Sequence, residues 1–114
     1  MNAATPDKSA GDRRRTARFP FKAAVEVLDR GSNNKFEGQV THLSLNGCHV
    51  NARETLSQGT SVLIKIFAKA DYLEAESEVI YVEPDGGMGL AFRTVIPGFV
   101  PVLQKWLLSA MNEV

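Results

Sequence analysis

Cysteine occurs once in these 114 residues, at Cys48, so no internal disulfide can form and a reducing compartment fits best. No apolar run approaches the roughly 20 residues of a membrane span. The first dozen residues hold no apolar core of the kind a secretory signal needs. A soluble, cytoplasmic chain with no direct membrane insertion is expected. Internal repeats, low-complexity tracts, a P-loop and a dinucleotide fingerprint are all missing. Gly86-Gly87-Met88-Gly89 sits in a hairpin and lacks the helix a phosphate loop requires. No nucleophile with a base and an orienting group can be assembled, which argues against an enzyme. His42, Cys48 and His49 do not have zinc-ligand spacing, and adjacent strand residues point to opposite faces. Neither a metal nor a resident cofactor is expected.

Net charge is also lacking overall, with 13 Lys/Arg against 13 Asp/Glu, but it is unevenly spread. Residues 1–22 carry six Lys/Arg and two acids, a local net of +4, and the rest of the chain carries −4. Four of the basic residues lie within Arg13-Arg14-Arg15-Thr16-Ala17-Arg18. A short guanidinium cluster beside a neutral or acidic body reads as an anion grip, or as a solvated basic arm. Arginine suits the first role because its planar fork pairs with phosphate oxygens or with the O6/N7 edge of guanine. A nucleic-acid binder calls for basic and aromatic residues spread over a strand face, and that pattern is not present.

Length predicts one domain, and 44% apolar residues supply a core. Residues 1–12 are polar and patternless and read as a disordered tail; residues 13–114 read as the folded domain. Apolar residues alternate with polar ones from Phe21 to Leu28, with Phe21, Ala23, Val25 and Val27 on one face. The turn Asp29 to Asn34 leads to a second strand, Lys35–Leu43, with Phe36, Gly38, Val40 and His42 sharing a face. Cys48–Ala52, Thr60–Ala68, Leu73–Glu83 and Met88–Val95 follow, with Pro84-Asp85-Gly86-Gly87 marking a hairpin. Glu74, Glu76 and Glu78 share a strand face and read as an exposed acidic row. Six short strands at this spacing imply an all-β barrel or sandwich. After Pro97-Gly98 the period changes. Phe99, Leu103, Trp106, Leu107, Ala110 and Met111 make an amphipathic helical stripe, with Pro101 suited to the first turn. The stripe is expected to dock on the barrel, with a partner protein as the alternative.

The turn between the second and third strands reads His42-Leu43-Ser44-Leu45-Asn46-Gly47. By itself this is turn chemistry: serine bonds to its own backbone, asparagine tolerates positive φ and glycine adopts it freely. Combined with the arginines it is more specific. Arg14-x-x-x-Arg18, then x-x-Ser44-x-x-Gly47, then the closing strand Gly89-Leu90-Ala91-Phe92, resemble the PilZ domain, a family of bacterial receptors for cyclic di-GMP. That family carries an RxxxR motif followed by a (D/N)xSxxG motif, and the resemblance covers residues 12 to about 112.

The resemblance implies an all-β fold, a six-stranded antiparallel barrel with a C-terminal amphipathic helix. It implies cyclic di-GMP as the ligand, with Arg14 and Arg18 on phosphate and guanine, and Ser44 on phosphate or guanine. Gly47 would let a base approach the backbone. Arg13 adds a third guanidinium, compatible with a stacked pair of ligands. The sequence departs from the family at His42, which stands where an Asp or Asn accepts hydrogen bonds from guanine. A neutral imidazole offers one acceptor where a carboxylate offers several. Losing one such bond costs about 1–3 kcal/mol, so weakened binding is one expectation and a ligand-free interaction module is the other. Either would signal through a separate effector protein, as a monomer or weak homodimer.

Overall fold

The computed structural model describes residues 17–112. The tail 1–12 and Arg13, Arg14 and Arg15 lie outside the described residues. Six strands run in chain order: β1 Phe19–Asp29, β2 Lys35–Ser44, β3 Gly47–Ala52, β4 Ser61–Ala68, β5 Asp71–Val82 and β6 Gly87–Val95. They close into an antiparallel barrel in the order β1-β2-β3-β6-β5-β4, with β4 returning to pair with β1. A 3₁₀ turn at Pro97–Phe99 feeds the helix α1, Val100–Asn112.

The alternation read along β1 is the alternation found. Phe21, Ala23, Val25 and Val27 are buried, while Lys22 and Ala24 face solvent. Val62, Ile64 and Ile66 of β4 and Leu73, Ala75 and Val79 of β5 complete the interior with Met88 and Leu90 of β6. The outer face carries the acidic row. Glu74 sits 3.9 Å from Lys65 of β4, Glu76 3.4 Å from Arg30 in the turn after β1, and Glu78 2.7 Å from Arg93 of β6, so each carboxylate faces a basic side chain.

Helix α1 packs against β1 and β5. Leu103, Trp106 and Ala110 are buried, and the Trp106 ring lies 5.4 Å from that of Phe21. The stripe read from the sequence is too broad by Met111, which is 50% exposed. One residue is about 100° of rotation on a helix, enough to carry Met111 away from the face centred on Leu103, Trp106 and Ala110.

Irregularities in the ladders decide which side chains face outward. β1 and β2 slip register between Pro20 and Ala23, β2 and β3 between Val40 and His42, and β5 and β6 between Val79 and Tyr81. The slip at Thr41 corrects the simple alternation of β2. Val40 is buried but His42 is exposed, and Leu43 and Ser44 turn inward in its place. An inserted residue flips everything beyond it to the other face.

Candidate functional site

The two-residue turn Leu45-Asn46 joins β2 to β3, with Ser44 paired to Gly47. Ser44 is buried, and its hydroxyl donates to the Gly47 carbonyl at 3.2 Å while accepting from the Asn46 N–H at 3.2 Å. The side chain therefore fixes the turn from inside. The glycine has a different reason from the one its turn chemistry suggests. Neither Asn46 nor Gly47 adopts positive φ; among the described residues that region holds Asn33, Lys69, Ala70, Gly59 and Gly86. Gly47 instead pairs with Ala91, and a Cβ there would overlap the Leu90 carbonyl oxygen. A close approach of two backbones, not a left-handed turn, excludes larger residues at 47.

Beside this turn lies a surface cavity of about 610 Å³, within the range typical of small-molecule sites. Arg18, Ser44, Asn46, Gly47 and Cys48 line one side, and Ile80, Tyr81, Glu83 and the β6 segment Gly89-Leu90-Ala91 line the other. Three residues singled out from the sequence, Arg18, Ser44 and Gly47, thus meet on one cavity although two distant stretches of chain supply them. His42 does not line it.

Of the far wall, the sequence singled out the closing strand Gly89-Leu90-Ala91 but not Ile80, Tyr81 or Glu83. The irregularity at Ile80 places Tyr81 opposite Gly89 on the outside of the barrel. Gly89 is flanked by the inward-facing Met88 and Leu90, and a Cβ on it would overlap the Tyr81 ring. The missing side chain is what lets the phenol lie flat on β6. Gly87 does the same for two polar groups, since the Glu83 carboxylate and the His49 imidazole occupy the space its Cβ would take. His49 Nε2 is 3.1 Å from Glu83 Oε1, and His49 Nδ1 is 2.8 Å from Thr41 Oγ1, which is in turn 3.0 Å from His42 Nδ1. A row of polar side chains thus runs from the exposed His42 across β3 to the cavity carboxylate.

Cys48 and His49 do face opposite ways. The thiol is buried and its pKa is pushed up to about 12 by loss of hydration, so it stays protonated. It packs as a small apolar group. Arg18 is exposed and supplies the positive charge among the described lining residues; Glu83 supplies the negative charge. The arrangement offers a cation, backbone and amide groups at a tight turn, an aromatic face and one carboxylate. Such a set can hold an anionic, aromatic ligand.

The model of the PilZ domain matches residues 12–103. No curated protein sequence matches this one. Solved structures with the same architecture include the PilZ domain of CeSA from a cellulose-synthesizing bacterium, at 23% identity and TM-score 0.57, over 68% of this chain and 80% of that one. The PilZ domain of YcgR from Escherichia coli, solved with c-di-GMP, aligns at 16% identity and TM-score 0.67, over 89% of this chain and 93% of its own. The Bacillus subtilis inhibitor of motility MotI/DgrA aligns at 16% identity and TM-score 0.67 over 89% of this chain, which spans about half (51%) of that protein. At these identities the likeness speaks for the fold, and the family match across the whole barrel speaks for descent. With the closed six-stranded barrel, its C-terminal helix and the Ser44–Gly47 turn all in place, the chain belongs to the PilZ domain family.

Proposed function

We propose that this chain is a cyclic di-GMP receptor domain whose Arg-rich arm orders over the cavity when the ligand binds and so changes the surface offered to an effector protein. The observation that supports it most directly is the meeting of Arg18, Ser44 and Gly47 on one cavity. Arg14 and Arg18 pair with phosphate oxygens and with the guanine O6/N7 edge through their planar forks. Gly47 lines the cavity at the β2–β3 turn, where a base can approach its backbone. Arg13 contributes to a second, stacked ligand molecule. Tyr81 offers a face on which a purine can stack. The domain acts in the cytoplasm as a binding module without catalysis, and as a monomer or weak homodimer.

A second reading, an interaction module that has lost the nucleotide, draws on one observation: His42 is exposed and does not line the cavity. Calorimetric titration with cyclic di-GMP, against GTP and the linear dinucleotide, separates the two. Saturable binding of the cyclic ligand alone is expected. Heats no larger than those of the controls would sink the receptor reading in favour of the module.

A further inference from the structure

A guanine base presents acceptors at O6 and N7, which arginine reads, and donors at N1–H and the exocyclic N2 amine, which need an acceptor pair. A carboxylate is the side chain that supplies two acceptor oxygens in one plane. His42 cannot supply them, and its ring lies outside the cavity lining. Among the described residues that line the cavity, Glu83 is the carboxylate.

Its placement is specific. The Glu83 N–H donates to the Gly87 carbonyl at 2.7 Å and the Gly86 N–H donates back to the Glu83 carbonyl at 3.2 Å, so the turn after β5 fixes its backbone. Gly87 leaves room for the carboxylate to lie against β6. Oε1 meets His49, and among the described residues Oε2 takes no hydrogen bond. One proton assignment satisfies the whole row with each donor used once. His42 Nδ1–H donates to Thr41 Oγ1, the Thr41 hydroxyl donates to His49 Nδ1, and His49 Nε2–H donates to Glu83 Oε1. In that assignment His49 spends its one ring N–H on Oε1, and Oε2 is left to accept from a base. Tyr81, whose ring centroid is 6.2 Å from that of His49, stands beside the carboxylate as a stacking surface.

We propose that Glu83 is the guanine-reading carboxylate of this cavity and that the His42–Thr41–His49 hydrogen-bond row aims it. This rests on the cyclic di-GMP reading above. The row gives His42 a role without contact: it is a positioning residue at the outer end of the row, and the base is read at the inner end. Arg18 on the same cavity offsets the negative charge that Glu83 brings near an anionic ligand.

The test compares cyclic di-GMP with cyclic di-IMP, which keeps N1–H but lacks the exocyclic amine. The wild type should prefer the guanine ligand by about tenfold, the worth of one hydrogen bond to a charged acceptor. Glu83→Gln, which keeps one acceptor, should bring that preference close to one while still binding both ligands through the arginines. His49→Leu should reduce the preference in the same way, and His49→Gln, which restores a donor to Oε1, should recover it. A merely structural His49 would shift both affinities together and leave their ratio intact. An undiminished preference in Glu83→Gln overturns the assignment of Glu83 while leaving the receptor reading in place. A wild type that binds neither ligand removes the receptor reading, and this inference with it.

Discussion

Arg18 and Arg30 have the same side chain and opposite situations. Arg18 lines the cavity, whereas Arg30 lies in the turn after β1 and faces Glu76 at 3.4 Å. Arg18→Ala should weaken cyclic di-GMP binding by at least ~2 kcal/mol, because it removes charge-assisted bonds to the ligand. Arg30→Ala should leave affinity unchanged. Equal losses in a calorimetric comparison would mean that diffuse charge, not the cavity, attracts the nucleotide. Cys48 offers a test of burial. A thiol with a pKa of about 12 holds roughly a thousandfold less thiolate at pH 8 than one at the ordinary 9.0, and thiolate is the reactive form. Alkylation in the native state should be slower by about that factor and should recover in denaturant. The sign for stability follows from the raised folded value. The unfolded thiol ionises first, so the contribution is intact below pH 9 and is lost as pH rises from 9 toward 12. At this scale the sequence was readable where a residue type has one dominant use. Arg18 and the Ser44–Gly47 turn were visible for that reason. Glu83 was not, because a lone acid after a strand has no pattern until folding sets it beside His49.

The elements themselves were largely legible, since the period-two pattern survives along β1, β4 and most of β5. Irregularities were not. An inserted residue such as Thr41 or Ile80 costs a strand one ladder bond and leaves no compositional mark, yet it decides whether His42 and Tyr81 face out. The β4–β5 connection shows the converse, a turn with the wrong chemistry for its shape. Lys69 and Ala70 both adopt left-handed backbone, φ 53° and 69°, as a two-residue turn of type I′ demands. Neither is Asn or Gly, so no hairpin signal marks this turn along the chain. Alanine in that region carries a penalty of about 1 kcal/mol that glycine does not. Ala70→Gly should therefore stabilise the domain by about that amount and raise Tm by a few degrees, measured by thermal unfolding. A fall in Tm would mean that this turn does not hold Ala70 at positive φ.

The whole molecule is asymmetric in charge, with a basic arm ahead of a net-acidic body in which Glu74, Glu76 and Glu78 are each paired to a basic residue. On the receptor reading, residues ahead of Phe19 gain order only when the ligand bridges Arg14 and Arg18 to the cavity, and that ordering consumes part of the binding energy. Backbone NMR relaxation should show fast motion from Arg13 to Arg18 without cyclic di-GMP and its loss on saturation. Equal rigidity in both states would leave the arm with no message to carry. The closed β1-β2-β3-β6-β5-β4 ring limits who can receive such a message. A closed ring has no edge strand with a full row of idle N–H and C=O groups, so a partner finds no sheet edge to extend with a strand of its own. Recognition must go through side chains, at a face whose chemistry the ligand can alter. The same closure denies neighbouring copies a template for strand-to-strand stacking, so this small domain can be abundant in a crowded compartment without seeding fibres.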